Sequence, residues 1–178
     1  KRVVPHFLLE ELLGEEGLHA CLYLLAIDME MEPLPGYEYA SWETGYGDFR
    51  MVPDMSTLRW CPWIEKTVMV ICDIFEEEEA DKEVEVTPRT ILKRQIARAA
   101  ELGYTIKTGS ELEFYLLQRE ADGRLQPARG LLSGARSARI DAYGLGRLDD
   151  MSPLFDDLYA AARTLGLPVR TLMSEYAP

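Results

Sequence analysis

The sequence predicts an α+β fold, with strands dominating the first half of the chain and helices followed by strands in the second. Three observations lead to this prediction. Two apolar runs in the first half are typical of buried strands, two helices with clear end signals lie in the second half, and a strand is predicted after each helix. The pattern changes near Thr87, and this order of elements is typical of an α+β protein.

The first half contains one predicted helix, two predicted strands and one loop. Residues 6–13 carry an apolar stripe and end at a glycine, which predicts a short helix. Residues 21–27 and 66–75 are apolar runs that predict buried strands. Residues 30–44 mix proline, glycine, acids and aromatics and predict a loop. The run of four glutamates at 76–79 predicts a solvated turn.

Two helices are predicted in the second half, each from an N-cap residue, a proline at the first helical position and a glycine after the last turn. These residues are Thr87, Pro88 and Gly103 for the first helix, and Ser152, Pro153 and Gly166 for the second. Strands are predicted over residues 104–117 and 168–176. Residues 121–139 are rich in Gly, Arg and Ser and predict a long loop.

Composition restricts the class of function. The chain has 178 residues, of which 47% are hydrophobic and 28% charged, as in a soluble globular protein. Its net charge of −12 argues against nucleic acid as a partner. No apolar run is long enough to cross a membrane, and no signal peptide is predicted. The three cysteines lack the spacing of metal ligands, so we expect free thiols in a reducing cytoplasm.

The most informative chemical feature is the pair Glu111 and Glu113 inside the predicted strand 104–117. Side chains two residues apart on a strand point to the same face, roughly 6.6 Å from each other. Two acids on one face of a buried strand are costly unless a cation lies between them. A hard divalent cation with oxygen ligands is the natural partner. The alternative interpretation is a strand with one solvated acidic face.

An ordered series of short motifs surrounds this pair. In chain order they are Gly47-Asp48-Phe49, Val52-Pro53-Asp54-Met55-Ser56-Thr57-Leu58, Cys61-Pro62-Trp63, Val70-Ile71-Cys72-Asp73, Pro88-Arg89-Thr90-Ile91-Leu92-Lys93-Arg94 and Ser174-Glu175-Tyr176-Ala177-Pro178. The series resembles the glutamine synthetase family, and more closely its γ-glutamyl-amine ligase (γ-glutamylpolyamine synthetase) branch than the ammonia-using enzymes. The resemblance covers nearly the whole chain.

The resemblance implies a small β-grasp domain followed by a larger catalytic domain built on a curved antiparallel sheet. Residues 1–86 would then form an incomplete β-grasp domain, and residues 87–178 would form the first part of the catalytic domain. We therefore expect a chain that is cut at both ends, and we expect residues 1–178 alone to be inactive. Family subunits form rings with active sites between neighbours, so the resemblance also implies a homo-oligomer.

The chemistry implied by the resemblance is an ATP-dependent ligation through a γ-glutamyl phosphate intermediate, with Mg²⁺ or Mn²⁺ as cofactor. By motif match, Glu113 would bind the cation nearer glutamate, and Glu111 the cation nearer the nucleotide phosphates. Glu175 matches the first acid of the family's Glu-x-x-x-Gly-Gln-x-Glu segment and would join Glu113. The alternative for Glu175 is a solvated acid at the end of a strand.

The segment that would face the amine departs from the pattern of the ammonia-using members. Those enzymes hold the ammonium ion with an Asp-Gly-Ser-Ser segment, whereas this chain has Ala40-Ser41-Trp42-Glu43-Thr44-Gly45-Tyr46. Trp42 and Glu43 suit a larger cationic amine, through cation–π and charge contacts, or are simply a packed aromatic and an exposed acid. Asp48 belongs to the motif that faces the neighbouring active site, and Asp54 is expected to cap a turn.

Three functions compete at this point. The first is ligation of glutamate to an organic amine, such as a polyamine or ethanolamine. The second is an ammonia-using glutamine synthetase, which the altered Trp42 segment disfavours. The third is a structural homologue without catalysis, which the retention of Glu111, Glu113 and Glu175 disfavours.

Overall fold

The computed structural model of the chain describes residues 3–14, 17–136 and 142–176. The fold combines helices with antiparallel sheets, as the α+β prediction requires. The chain divides into two compact units. The first unit comprises Lys1–Leu58 and Val70–Thr108, and the second comprises Arg59–Met69 and Gly109–Pro178.

The elements are short and follow each other closely. In chain order they are a 3₁₀ turn (His6–Leu8), α1 (Leu9–Leu12), β1 (Leu18–Cys21), a second 3₁₀ turn (Leu22–Leu25), β2 (Asp48–Trp60), β3 (Val68–Glu76), α2 (Pro88–Glu101), β4 (Leu117–Arg119), β5 (Leu125–Pro127), α3 (Leu145–Asp150) and α4 (Ser152–Leu165). One sheet has the order β1-β2-β3, and the other pairs β4 with β5. In the part of the chain that the structure describes, no helix has both the length and the apolar character to cross a bilayer.

Helix α2 is tied to the sheet of the first unit by a network of ion pairs. Arg89 Nε donates to Asp73 at 2.6 Å, and a second nitrogen of the same guanidinium contacts Asp54. Lys93 Nζ lies 2.8 Å from the other oxygen of Asp73 and 2.7 Å from Glu83. The network therefore holds the first turns of α2 against residues of β2 and β3.

Most predictions for the first half are confirmed, and one strand is misplaced. The helix at 6–13, the loop at 30–44 and the strand at 66–75 are all present within a few residues. The predicted strand 21–27 is wrong, because β1 ends at Cys21 and a 3₁₀ turn follows. The thiol of Cys21 accepts a hydrogen bond from the Tyr23 amide at 3.5 Å, which favours that turn over an extended backbone.

The longest strand, β2, was not predicted. It runs through Pro53, a residue that normally argues against a strand interior. The expectation that Asp54 caps a turn is also wrong, because Asp54 lies inside this strand. Its carboxylate does accept the local hydrogen bonds of such a cap, from the amide and the hydroxyl of Ser56, at 3.1 and 2.7 Å.

The strands predicted over 104–117 and 168–176 are not formed. Of the first segment only Leu117 belongs to a strand, β4, which pairs with β5 inside the predicted loop 121–139. A strand needs a ladder of hydrogen bonds from a neighbour, and the described residues form none along 104–116, where the backbone bonds are single contacts at the two ends, from Tyr104 to Ala99 and from Ala128 to Leu116. As a result Leu112 is 85% exposed and does not fill a core face. Residues 137–139 of the predicted loop lie outside the described part of the chain.

Both predicted helices of the second half are confirmed. Thr87 accepts a hydrogen bond from the Thr90 amide, as an N-cap should. At the second helix Ser152 is the first helical residue, so it does not act as the cap, and Met151 takes the N-cap position. Gly166 ends α4 with a φ of 70°, a left-handed conformation that suits glycine. The short helix α3, which precedes α4, was not predicted.

Candidate functional site

Tyr143 lies close to all three acids that the sequence predicts as metal ligands. Its phenol donates a hydrogen bond to the Glu175 carboxylate, and this bond raises the pKa of Tyr143 above its ordinary value. The negative charge of Glu175 raises that pKa further, and the charges of Glu111 and Glu113 act in the same direction. Three acids from two distant segments therefore lie near enough to act on one phenol in the second unit.

Backbone hydrogen bonds hold the two segments together. The Tyr143 amide donates to the carbonyl oxygen of Ser174 at 2.9 Å, and the Gly144 amide donates to the Ser174 hydroxyl at 3.1 Å. Tyr143 itself has a φ of +58°, which is uncommon for a residue other than glycine. Such a conformation persists only where the surroundings hold it, and it often occurs at functional sites.

The donor set suits a hard divalent cation, because glutamate oxygens are the ligands that Mg²⁺ and Mn²⁺ prefer. Glu111 and Glu113 are both exposed, which leaves their carboxylates accessible. Among the described residues, however, no three His, Cys, Asp or Glu side chains converge closely enough to hold a metal ion. The assignment of Glu111, Glu113 and Glu175 as ligands therefore stays a prediction.

The predicted amine-side loop borders a cavity in the first unit. Its volume is about 220 Å³, and it is lined by Pro33, Leu34, Pro35, Gly36, Ser41, Trp42, Glu43 and Tyr46. Both Trp42 and Glu43 contribute to this lining, as the sequence hypothesis requires of an amine site. Asp48 does not line the cavity; it is the exposed first residue of β2, opposite Cys21 on β1.

Ser41 and Thr44 stabilise this loop through reciprocal hydrogen bonds. The Ser41 amide donates to the Thr44 hydroxyl at 3.0 Å, and the Glu43 and Thr44 amides donate to the Ser41 hydroxyl at 3.2 and 3.3 Å. Gly45 closes the turn with a φ of 78°. The Ser41 and Thr44 side chains therefore hold the backbone at 41–45.

The electrostatics of the cavity favour a cation. A hydrogen bond from Ser41 lowers the pKa of Glu43, so this carboxylate is ionised at neutral pH. Partial burial raises the pKa of Tyr46, and the charge of Glu43 raises it further, so the phenol is neutral and lies near the acid. The rings of Trp42 and Tyr46 meet edge to face, with their centroids 5.3 Å apart.

Four arginines lie in and after the predicted loop 121–139 and could meet a phosphate or a carboxylate: Arg129, Arg136, Arg139 and Arg147. The three that the structure describes are engaged within the chain. Arg129 donates to the Gly134 carbonyl at 3.3 Å, Arg147 donates to the Ala128 carbonyl at 3.1 Å, and Arg136 pairs with Glu120. Arg139, the fourth of the group, lies outside the described residues. These contacts support a structural role for Arg129, Arg136 and Arg147.

Sequence comparison gives the class of protein that this arrangement belongs to. Residues 85–178, just over half of the chain, match the catalytic domain of glutamine synthetase. The chain therefore belongs to the glutamine synthetase family. This result confirms the resemblance.

Particular relatives fall in the amine-ligase branch. The chain is 37% identical over 180 residues to a gamma-glutamylethanolamide synthetase, GlnA4, of Streptomyces coelicolor; the match covers all of this chain and 38% of that protein. It is 36% identical to a glutamate–isopropylamine ligase of a Pseudomonas species, over 57% of this chain and 22% of the relative. A gamma-glutamylanilide synthase of an Acinetobacter species is 29% identical, and the match covers 72% of this chain and 27% of that protein. The chain thus spans well under half the length of each of these relatives.

Sequence reasoning missed two residues of these candidate sites, Tyr143 and Tyr46. Tyr143 stands far from Glu175 in the sequence and in no motif, so nothing in the sequence predicted their contact. Tyr46 did have a recognisable signal. It is the last residue of the Trp42 segment and lies between two glycines, Gly45 and Gly47, where an aromatic residue is worth examining as part of a binding site.

Proposed function

We propose that a protein containing this chain joins the γ-carboxylate of glutamate to an organic amine, using ATP, through a γ-glutamyl phosphate intermediate. Membership of the glutamine synthetase family supports the ligation chemistry. The observation that most strongly favours an organic amine is the cavity lined by Trp42 and Glu43, which stands where the ammonia-using members have their Asp-Gly-Ser-Ser segment. The relatives support this choice, since those named above are called synthetases or ligases of ethanolamine, isopropylamine and aniline derivatives.

We assign the acids around Tyr143 to the cation sites of this reaction. Glu113 and Glu175 would hold the cation nearer glutamate, and Glu111 would hold the cation nearer the nucleotide phosphates. When bound, Mg²⁺ or Mn²⁺ would neutralise the negative charge that develops during phosphoryl transfer. The chain's own contribution is orientation, because Tyr143 donates to the Glu175 carboxylate and restricts its position.

We extend the proposal to the architecture. Residues 1–86, which include the sheet β1-β2-β3, would be most of a β-grasp domain, and residues 87–178 would be the first part of the catalytic domain. The family match begins at residue 85, in agreement with this boundary. A homo-oligomeric ring follows from the same family membership, and size-exclusion chromatography with light scattering would test it.

The test is phosphate release from ATP by a full-length protein that contains this chain. The reaction contains glutamate, Mg²⁺ and one amine at a time, drawn from ammonia, ethanolamine, isopropylamine, aniline, putrescine and spermidine. We expect release with an organic amine and little with ammonia. Loss of a residue that only hydrogen-bonds to a metal ligand costs roughly 10–100-fold in activity, and the variants Glu113→Gln and Glu175→Gln should lose more than that. Asp157→Asn, an exposed acid on α4, is the matched control and should keep full activity.

Each outcome separates the three candidate functions. Release with ammonia in preference to every organic amine would replace the proposal with a plain glutamine synthetase. If a folded protein that binds Mg²⁺ releases no phosphate with any amine, the result would favour a homologue without catalysis. Residues 1–178 alone should release no phosphate, and release by this segment would contradict the assignment of further essential residues to the remainder of the catalytic domain.

A further inference from the structure

The lining of the cavity beside the Trp42 loop combines two kinds of side chain. It includes two aromatic residues, Trp42 and Tyr46, and Trp42 is 76% exposed. It also includes the apolar residues Pro33, Leu34 and Pro35. Aromatic rings attract organic cations, and the attraction grows as the cation loses water. A lining of aromatic and apolar side chains therefore suits a cation that carries a hydrocarbon substituent.

The charge of the cavity limits the ligand to a single positive centre. Among the described residues that line it, Glu43 alone carries a charge. A second ammonium group on the same ligand would have no carboxylate partner there, and an unpaired charge in a partly apolar cavity is costly. The Ser41 hydroxyl keeps the pKa of Glu43 low, so the acid is available as the counter-ion at neutral pH.

The volume is compatible with a small ligand. About 220 Å³ holds a short amine of about three to five heavy atoms together with some water. The cavity is partly open to solvent, so its volume alone does not exclude a longer ligand. The discrimination against polyamines therefore rests on the charge of the lining, in which Glu43 is the charged residue among those described.

We infer that this cavity binds a short monoammonium ion with an apolar substituent, held by the Trp42 and Tyr46 rings and by the Glu43 carboxylate, and that it discriminates against polyamines. The inference rests on the proposed function, because it names the class of amine that the ligase would accept. It narrows the earlier pair of polyamine or ethanolamine to the smaller, singly charged class.

The direct test is a binding titration followed by the NMR signals of the three tryptophan indole N–H groups. The probes are isopropylammonium, ethanolammonium and spermidine, each at constant ionic strength. We expect the Trp42 signal to move with the two short monoamines, more weakly with spermidine, and the Trp60 and Trp63 signals to stay in place. A Trp42→Phe variant, which lacks this indole, assigns the signal.

The matched pair Glu43→Gln and Glu38→Gln tests the role of the charge. Both acids are exposed and lie in the same loop, but Glu38 does not line the cavity. Glu43→Gln should weaken binding at least fivefold, and Glu38→Gln should leave it unchanged. Any of three results would overturn the inference. The two substitutions could have equal effects, the Trp42 signal could stay in place, or spermidine could bind more tightly than isopropylammonium.

Kinetics distinguish failure of this inference from failure of the proposed function. In an active full-length protein, Glu43→Gln should raise KM for the amine and leave KM for glutamate unchanged. If turnover occurs and the amine KM does not change, the cavity is not the amine site while the ligase function stands. If the cavity binds the monoamines but no phosphate is released with any of them, the proposed reaction fails while the cavity assignment stands.

Discussion

Replacement of Asp73 by Asn should destabilise the first unit, and the structure allows the size of the effect to be worked out. The Asp73 side chain is only 19% exposed and accepts hydrogen bonds from two cations, Arg89 and Lys93. Hydrogen bonds to charged groups contribute about 1.5–3 kcal/mol each. The amide keeps one oxygen as an acceptor, and each cation keeps its other carboxylate partner, so we expect a loss of about 2 kcal/mol.

The assay is reversible urea or thermal unfolding, followed by circular dichroism. A loss of about 2 kcal/mol corresponds to a fall in Tm of roughly 4–8 °C for a chain of this length. The matched control is Glu79→Gln, which removes one carboxylate from the exposed pair with Lys82, whose side chains are 66% and 48% exposed. Exposed pairs of this kind contribute about 0–1 kcal/mol. Equal unfolding midpoints for the two variants would refute the reasoning.

The same substitution should change the dependence of stability on pH. Burial raises the pKa of Asp73, but hydrogen bonds from Lys93 and Arg89 and their positive charges outweigh burial, so the net shift is downward. A carboxylate with a lowered pKa stabilises the fold at pH values above its unfolded pKa, about 3.9, and this stabilisation is lost as the pH falls through the folded value. The unfolding free energies of the wild-type chain and of Asp73→Asn should therefore show their full difference at about pH 6. The two values should approach each other as the pH falls below the pKa of Asp73 in the folded chain. A difference that stays constant down to the acid limit would show that packing, not charge, is responsible.

Three further predictions concern single residues. Gly130→Ala should cost about 1–3 kcal/mol of unfolding free energy, because the new Cβ would clash with the Asp150 carboxylate and displace it from its hydrogen bonds with the Ser133 amide and hydroxyl. Gly109→Ala, with nothing within 4 Å of its Cβ, should be close to neutral in the same urea titration. Thr87→Ala removes the N-cap of α2 and should cost about 1 kcal/mol; an unchanged midpoint would contradict the capping role. Tyr143→Phe removes the donor to Glu175 and should lower phosphate release by roughly 10–100-fold in the full-length protein. The unfolding midpoint should not change, and full activity of the variant would exclude a positioning role for Tyr143.

The helices could be predicted from the sequence because their determinants are local. Thr87 and Pro88 start α2, and Gly166 ends α4, through backbone effects within one turn. The strands depend on neighbours that the sequence does not identify. The alternation around Glu111 and Glu113 is compatible with a strand, but without a paired neighbour among the described residues the segment stays irregular. Strand β2 was missed for the opposite reason, since Pro53 argues locally against a strand that tertiary pairing forms.

The candidate sites show the same difference between local features, which the sequence indicates, and long-range contacts, which it does not. Trp42 and Glu43 could be singled out from the sequence because, by the resemblance, they stand in one short loop in place of the Asp-Gly-Ser-Ser segment. Both line the cavity, and their role in amine binding stays a prediction. The relation of Tyr143 to Glu175 could not be predicted, since it depends on how two segments about thirty residues apart meet through the Ser174 carbonyl. Periodicity carries no information about such long-range contacts.

The hydrogen bonds of the loop at 41–45 have a consequence for how amine preference can evolve. Ser41 and Thr44 hold the backbone through hydrogen bonds, and Gly45 closes it, so substitutions at positions 42 and 43 leave these hydrogen bonds in place. If the cavity is the amine site, as proposed, two adjacent positions can therefore change its preference, at the expense of the Trp42–Tyr46 ring contact and the Ser41–Glu43 hydrogen bond. A small library randomised at Trp42 and Glu43 would be the economical starting point for redirecting such a ligase to another amine.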